Sequence, residues 1–312
     1  MPPTTHKEIP PRPTRVIALM NQKGGVGKTT TTVSLAAAIA RAGRSTLVVD
    51  LDPQAHATLA LGVEAPERSI YDVLIDPDMD PMDAVATTRE MLHVLPSQTD
   101  LAAAEIELAD QPDRQGRLRT ALERLSSRYE FVLIDCPPSL GLLTLNGLAA
   151  AREVIIPMQA HFLALQGVGK LLETVKLVGK AVNPRLRVTG VVLCMHDPSS
   201  NHTREVVADL EAFLEAGREK ETPWRYARVL RPAVRRNIKL AECPSFGQTI
   251  FEYAPTAPGA EDYEQLGKVL LAEWDAMLAK RGKGESFGVS EVASADIHVR
   301  RTNESATKNV HR

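Results

Sequence analysis

A glycine-rich loop at residues 21–30, Asn-Gln-Lys-Gly-Gly-Val-Gly-Lys-Thr-Thr, limits what this chain can fold into more than any other feature. It follows an apolar run at 16–20 and precedes a helix-forming run at 32–42. Backbone N–H groups in such a loop, together with the positive end of the helix dipole, converge on an anion. The segment therefore predicts a phosphate-binding α/β fold, with Lys28 on the β- and γ-phosphates and the Thr29 hydroxyl on Mg²⁺.

The loop departs from the common phosphate-loop pattern in two places. Gln22 stands where the first glycine of that pattern falls, and a second lysine, Lys23, lies near the start of the loop. One interpretation of Lys23 is a solvated surface lysine. The other is a lysine that reaches a phosphate presented by another subunit, because a compact ammonium neutralises phosphate without planar geometry.

Three segments carry a resemblance to a known family. The loop 23–30 resembles the deviant Walker A motif of the ParA/MinD group of P-loop ATPases. The segments 47–54 (LVVDLDPQ) and 131–139 (FVLIDCPPS) are similar to the second and third motifs of that group. Within the group, the chain resembles the short ParA/Soj partition ATPases over about residues 14–280. Further matches to those ATPases lie at 142–146, 183–185 and 240–247.

The resemblance implies ATP and Mg²⁺ as cofactors and hydrolysis of the γ-phosphate as the reaction. It implies a catalytic set of Lys23, Lys28 and Asp52, and a metal set of Thr29, Asp50 and Asp135. The nucleotide-binding residues that it implies are Lys23, Gly24, Gly25, Val26, Gly27, Lys28, Thr29, Thr30 and Asn237.

The aspartates of these sets follow apolar runs. Asp50 and Asp52 end one predicted strand, and Asp135 ends another. A single aspartate at a strand end often only caps the following turn. Three of them beside a phosphate loop favour chemistry instead. The resemblance matches Asp135 to the acid that holds Mg²⁺ through water, Asp52 to the residue that positions the attacking water, and Asp50 to support of the metal's water shell.

Alternating apolar runs and helical patterns predict a doubly wound α/β fold with a mainly parallel sheet flanked by helices. The chain of 312 residues is 44% hydrophobic, which is enough for a large core. We expect a single domain at 15–280, a disordered Pro-rich leader at 1–14 and a disordered polar tail at 281–312. The predicted strands are 15–20, 45–50, 91–96, 130–135, 152–157 and 187–194, and the predicted helices are 28–42, 99–110, 114–127, 139–150, 164–181, 201–216 and 260–279.

The basic residues of the chain cluster in one segment. Residues 217–240 contain eight Lys or Arg against two Glu, in a chain with a net charge of −2. A solvated basic face is one explanation. The other is a surface that binds DNA phosphates without sequence preference, because no recognition motif is present. The resemblance places the family's non-specific DNA surface here and implies Arg235, Arg236 and Lys239 as DNA-binding residues.

Three positions differ from the family's usual residues. Arg235 replaces the proline of a Pro-Arg-Asn element that lies near the adenine in the family, and Asn237 is equally typical of a turn. His161 and Gln166 stand where acids are common. A metal-binding role for His161 is not supported, because no second ligand lies at metal spacing.

The resemblance also implies partners: an ATP-dependent homodimer, non-specific DNA and a ParB-like centromere-binding protein, acting in chromosome or plasmid partitioning. We expect a cytoplasmic, nucleoid-associated protein. We expect no membrane partner, because the last predicted helix has an acidic face that anionic lipid would repel. The three cysteines are far apart, which argues against an iron–sulfur reductase of the same superfamily. The alternative that remains open is an orphan ParA/MinD-like ATPase that positions another cellular cargo.

Overall fold

The computed structural model describes residues 13–282. The expected leader at 1–14 and tail at 281–312 lie almost entirely outside the described residues, so their disorder stays a prediction. Within 13–282 the chain forms one eight-stranded sheet. Its strands are β1 Arg15–Leu19, β2 Thr46–Asp50, β3 Ala86–Arg89, β4 Leu92–Leu95, β5 Phe131–Asp135, β6 Glu153–Met158, β7 Arg187–Leu193 and β8 Arg228–Leu230.

Helices connect the strands. Short 3₁₀ turns lie at Pro81–Ala84 and Cys243–Phe246. The α-helices are α1 Lys28–Arg41, α2 His56–Ala60, α3 Ile70–Ile75, α4 Leu101–Glu107, α5 Arg117–Leu125, α6 Leu142–Ala150, α7 Phe162–Ala181, α8 Asn201–Ala216, α9 Lys239–Glu242, α10 Ile250–Tyr253 and α11 Pro258–Gly282.

The strand order is β3-β4-β2-β5-β1-β6-β7-β8, and every neighbouring pair is parallel except β3 with β4. Because all strands except β3 run in the same direction, their carboxyl ends lie at one edge of the sheet. The order reverses direction around β1, which places the loops after β1, β2 and β5 side by side. The predicted doubly wound α/β fold is confirmed.

Side chains of the central strands alternate between two cores, one on each face of the sheet. In β1, Ile17 and Leu19 pack into one core, while Ala18 packs into the other. Helices α1 and α11 cover the first face, and α3, α5, α6, α7 and α8 cover the second. Strands β2 and β5 are buried at all five positions, which explains their uninterrupted apolar sequences.

The six predicted strands are found within two residues of their expected bounds. The sequence did not predict β3 and β8, which are the two edges of the sheet. Strands at the edge of a sheet are paired on one side only and are often short. These two have only four and three residues, which is too few for a clear apolar pattern. Four short helices, α2, α3, α9 and α10, were missed as well, because segments this short carry almost no periodicity.

Gly43 ends helix α1 in the left-handed conformation, with φ of +81°. Its N–H donates to the carbonyl of Ala40 at 2.9 Å, and the N–H of Arg44 donates to the carbonyl of Ile39 at 3.3 Å. These two bonds form a Schellman motif, which satisfies carbonyls that the helix leaves open. The motif turns the chain directly into β2.

Two glycine substitutions test the importance of this conformation. A Cβ added at Gly43 or at Gly169 meets no atom within 4 Å, but only Gly43 has a positive φ. We expect Gly43→Ala to lower the free energy of unfolding by about 1 kcal/mol. Gly169→Ala, inside α7, should raise it by about 0.5–1 kcal/mol. Urea denaturation measures both, and shifts of the same sign would contradict this explanation.

Candidate active site

The glycine-rich loop connects β1 to α1 at the carboxyl edge of the sheet, and two of its glycines require positive φ. Gly25 has φ of +70° and Gly27 has φ of +93°. A Cβ on Gly27 would lie 3.2 Å from the Sγ of Cys194, which packs under the loop. At the base of the loop, Asn21 donates to the carbonyl of Pro157 at 2.7 Å. These contacts fix the backbone of the loop, whose N–H groups form the phosphate cradle.

Helix α1 begins at the end of this cradle, with Gly27 before its first residue. Lys28 is buried, while Thr29 lies at the surface of the site. The helix has no acidic residue in its first turn, so its positive end faces the cradle uncompensated. This arrangement is suited to the phosphates of a nucleotide.

Asp135, the last residue of β5, is buried beside the start of α1. Its Oδ2 accepts a hydrogen bond from the Thr29 hydroxyl at 2.7 Å, and its Oδ1 accepts one from the Thr32 hydroxyl at 3.0 Å. A threonine hydroxyl and a carboxylate are hard oxygen donors of the kind that Mg²⁺ prefers. The residues present therefore fit the predicted cation, which Thr29 and Asp135 would hold at the mouth of the cradle.

Asp50 ends β2 and lies opposite Asp135 in the parallel register. Its Oδ2 accepts bonds from both the N–H and the hydroxyl of Thr58, each at 2.8 Å, and its Oδ1 accepts from the N–H of Asp52 at 3.2 Å. Burial, and then the charge of Asp135, raises the pKa of Asp50 to about 7. Burial also raises the pKa of Asp135. The two carboxyls therefore repel each other unless a proton or a cation lies nearby.

Asp52 lies two residues beyond the end of β2 and is 8% exposed. Its Oδ1 accepts from the N–H of Gln54 at 3.0 Å, and its carbonyl accepts from the hydroxyl of Ser97 at 2.8 Å. Among residues 13–282, its Oδ2 has no hydrogen-bond partner. The residue after this turn, Ala55, has φ of +53°, a conformation that is uncommon outside glycine. The turn thus fixes Asp52 and leaves one oxygen available to a water molecule.

Lys23 is exposed, whereas Lys28 in the same loop is buried. Its Nζ lies 2.8 Å from Nε2 of His161, and because an ammonium can only donate, Nε2 is the acceptor. Burial and then the charge of Lys23 lower the pKa of His161, which favours the neutral ring that this hydrogen bond requires. Among the described residues, the Lys23 side chain is therefore held by one exposed hydrogen bond and by no ion pair.

The residues expected to contact adenine and DNA lie on the loop that follows β8 and at the start of α9. A bridge between His196, just beyond β7, and Arg235 brings this loop to the nucleotide edge of the sheet. Asn237 accepts from the N–H of Lys239 at 2.9 Å, which is the turn geometry that the sequence allowed as an alternative. Its contact with adenine stays a prediction.

Carboxylates from elsewhere in the fold neutralise much of the basic segment. Arg235 contacts Glu261 and Asp262 at 2.8 and 2.7 Å, and Lys239 contacts Glu242 at 2.8 Å. The linear charge count therefore overstates the free positive charge. Among the described residues, three basic side chains of 217–240 have no carboxylate within 4 Å. They are Lys220, Arg225 and Arg236. Arg218, Arg228 and Arg231 pair with Glu215, Glu273 and Glu211.

Sequence reasoning missed the buried hydroxyls that hold these carboxylates. Thr58 bonds Asp50, and its hydroxyl also accepts from the N–H of Ser97 at 2.9 Å. Thr58 lies in the short helix α2, for which the sequence carries no signal. Thr32 could have been found, since it lies four residues after Lys28 and its position on α1 puts it beneath the loop.

The fold and the site define a P-loop nucleotide-binding protein with a second lysine in its loop. A family model described as an AAA domain matches residues 14–188. The chain is 44% identical to the sporulation initiation inhibitor protein Soj of Bacillus subtilis, over 83% of this chain and 98% of that protein. It is 42% identical to the chromosome partitioning protein ParA of Myxococcus xanthus, over 82% of this chain and 88% of that protein.

A solved structure from Mycobacterium smegmatis is also similar. It is described as cobyrinic acid a,c-diamide synthase with a bound ATP analogue and magnesium. It is 38% identical with a TM-score of 0.70, covering 84% of this chain and 96% of that one. On the identity and coverage of these relatives, the chain belongs to the ParA/Soj family of P-loop ATPases. The expected family and the enzyme class are confirmed.

The raised pKa of Asp50 makes stability depend on pH. The folded-state pKa is about 7 against 3.8 for the ordinary group, so the folded chain binds more protons between these values. The free energy of unfolding should therefore fall as pH rises from 4 to 7, by up to about 1.4 kcal/mol per pH unit. In urea denaturation without nucleotide or Mg²⁺, Asp50→Asn should give a shallower decline. Parallel curves for the two proteins would contradict the assignment.

Proposed function

We propose that this chain is an ATP-dependent dimerising ATPase that binds DNA non-specifically and drives partitioning of a chromosome or plasmid with a ParB-like partner. Its cofactors are ATP and Mg²⁺. The observation that carries the proposal is the unlike environment of two lysines in one loop. Lys28 is buried at the cradle, whereas Lys23 is exposed and held by one hydrogen bond.

The catalytic part follows from the arrangement around the cradle. Lys28 and the loop N–H groups neutralise the phosphates, and Thr29 with Asp135 would hold Mg²⁺, which would supply further positive charge there. Asp52 presents a free carboxylate oxygen, which orients water for in-line attack on the γ-phosphoryl. In reactions of this class the protein contributes positioning and charge neutralisation rather than covalent chemistry.

The dimer is supported by the surface beside the site. Lys23 exchanges its bond to His161 for the phosphate of a partner's nucleotide, which carries charge and forms a stronger hydrogen bond. Leu140, in the loop after β5, is 44% exposed, and Ile106 on the adjoining α4 is 80% exposed. Glu105 of α4 accepts from the N–H of Leu143, which joins α4 to this loop. Apolar residues exposed at the rim of a site are typical of an interface.

The loop after β5, residues 136–141, is suited to report the γ-phosphate. It follows Asp135 directly and contains two consecutive prolines, which make it rigid. Its far end is tied to α6, where the Thr144 hydroxyl donates to the carbonyl of Ser139 at 2.6 Å. A shift of Asp135 with the nucleotide state is thereby passed to Leu140 at the proposed interface.

DNA binding is supported by the basic residues that the fold leaves without carboxylate partners. Arg236 is exposed, and Lys220 and Arg225 lie in the same segment. A single subunit offers few phosphate contacts, so its affinity for DNA is low. A dimer doubles the number of phosphates that are neutralised, and because the free energies add, the affinities multiply. Dimerisation then acts as the switch for DNA binding, and the proposal includes a nucleoid-associated location for the ATP-bound dimer.

A membrane-cycling ATPase is not supported by helix α11. Its apolar side packs on α1 through Tyr263, Leu266 and Trp274, which are buried. Its acids are held by arginines, as in the pair between Asp275 and Arg44 at 2.7 Å. Between residues 13 and 282, no helix has the length and apolar character needed to cross a bilayer.

Cysteine chemistry is not supported either. Cys136, Cys194 and Cys243 are the three cysteines of the chain, and all are buried. Burial raises the pKa of the thiols of Cys194 and Cys243 to about 11, and that of Cys136 higher still. Cysteines that react or bind metal do so as thiolates, so buried thiols with raised pKa values do not favour an iron–sulfur reductase. An orphan ATPase that positions another cargo remains the second candidate, since it shares the whole site.

Retention on DNA in ATP, ADP or no nucleotide tests the proposed switch directly. We expect retention on non-specific DNA only with ATP and Mg²⁺. Arg236→Ala should lower the slope of log affinity against log salt by about 0.9 for each phosphate that the variant no longer neutralises. Arg119→Ala, an exposed arginine on α5, is the matched control and should leave the slope unchanged. Equal retention in all three nucleotide conditions would reject the switch.

Lys23→Gln tests the contribution of the loop to the dimer. The variant should bind ATP normally but sediment as a monomer with ATP and Mg²⁺, because the partner's phosphate loses its counter-charge. His161→Ala removes only the hydrogen bond within the chain, so it should still form the ATP-dependent dimer. A normal dimer in Lys23→Gln would show that this lysine is a solvated surface residue.

A further inference from the structure

A second concavity lies at the opposite edge of the sheet from the phosphate loop. It has a volume of about 410 Å³ and opens where β1, β6, β7 and β8 begin. These four strands are neighbours in the sheet, and each has an arginine as its first residue or directly before it. The arginines are Arg15, Arg152, Arg187 and Arg228.

The lining of this amino-edge pocket is strongly basic. Six arginines face two glutamates, an excess of four positive charges in a chain whose net charge is −2. The remaining walls are largely apolar and are formed by Val188, Pro223, Tyr226, Trp274 and Met277. A pocket of this size with apolar walls and a few convergent polar groups is typical of a small-ligand site.

The two glutamates are both paired with arginines at the floor. Glu153 accepts from Arg15 at 2.8 and 2.7 Å and from the Thr189 hydroxyl at 2.5 Å. Burial alone would raise the pKa of Glu153, but Arg15, the Thr189 hydroxyl and the charge of Arg152 together lower it. Glu273 pairs with Arg228 and lies 3.5 Å from Arg15. The floor is therefore a closed ion-pair network that needs no ligand.

The rim arginines differ from those at the floor. Arg152, Arg185 and Arg281 are exposed, and none has a carboxylate within 4 Å among the described residues. Arg187 donates from one nitrogen to the carbonyls of Pro184 and Leu186 and leaves the others open. Guanidinium groups have a planar fork that matches phosphate oxygens in pairs. The rim thus presents several such forks around one apolar cavity.

We propose that the amino-edge pocket, outlined by Arg152, Arg185, Arg187 and Arg281, binds a small organic anion with two or more phosphate groups on an apolar or aromatic body. A nucleoside diphosphate has this chemistry. The phosphates contact the rim arginines, and the body lies against Tyr226 and Met277. The pocket is separate from the phosphate loop, which lies at the carboxyl edge of the same sheet.

The shape of the site favours a small ligand over duplex DNA. Apolar walls and a concave opening give a compact body a place to be buried, whereas a duplex presents its phosphates on a convex surface. The free arginines line the same pocket as the apolar side chains of Val188, Tyr226 and Met277, so a ligand with both phosphates and an apolar body can contact both. Binding to DNA through these residues is therefore the alternative outcome of the experiment.

Calorimetric titration of the full chain tests the proposal. The wild type should bind two ADP per chain, and Lys28→Ala, which disables the phosphate loop, should bind one. In the Lys28→Ala background, pyrophosphate should bind more weakly than ADP, and adenosine more weakly still. Adding Arg152→Ala and Arg185→Ala should raise the Kd for ADP at least about 10-fold, because two charge-assisted hydrogen-bonding groups are removed.

The control is Arg68→Ala with Arg119→Ala, two exposed arginines far from the pocket in sequence, which should leave the Kd unchanged. The pocket is rejected if Lys28→Ala binds no ADP and the wild type binds only one. It is also rejected if adding the two pocket substitutions to Lys28→Ala leaves the Kd for ADP unchanged, a result that would place the remaining ADP outside this pocket. Loss of DNA retention without a change in the Kd would assign these arginines to DNA.

Discussion

The site depends on keeping two like-charged carboxyls buried next to each other. Asp50 and Asp135 end adjacent parallel strands in direct register, where water cannot separate them. Two hydroxyls of α1 donate to Asp135, and an N–H group and a hydroxyl of α2 donate to Asp50. The phosphate loop and the loop after β2 are therefore both anchored to this pair of carboxyls. A divalent cation beside this pair relieves the repulsion, because its charge favours the ionised forms. Cation binding and the geometry of the loops are therefore linked.

Much of the fold and of the phosphate cradle could be predicted because the information is local. Strands buried on both faces are continuous apolar runs, and the glycines of the loop mark positive φ at Gly25 and Gly27. The rest depends on residues distant in sequence. Arg235 forms an ion pair with Asp262 of α11, and Thr58, in the unpredicted helix α2, forms a hydrogen bond with Asp50. Residue spacing in the sequence does not predict either pair. The edge strands escaped prediction because they have only four and three residues, too few to show a pattern.

Opposite charges are sorted to the two edges of the sheet. Aspartates lie where strands β2 and β5 end, and arginines lie where strands β1, β6, β7 and β8 begin. Helix α11 spans the distance between these edges: Tyr263 shares a 2.9 Å hydrogen bond with Thr31 of α1, and Glu273 takes part in the ion pairs at the far edge. A linear charge count over 217–240 could not show this layout, because the acids that neutralise it come from α8, α9 and α11.

The thiols described above have a practical consequence. All three are enclosed, and Cys194 lies directly beneath the phosphate loop, where Gly27 leaves room for its sulfur. Protonated, inaccessible thiols react slowly with maleimides and spin labels. A cysteine introduced on the surface can therefore be labelled selectively in the otherwise native chain, which gives direct access to distance measurements between subunits without first removing the natural cysteines.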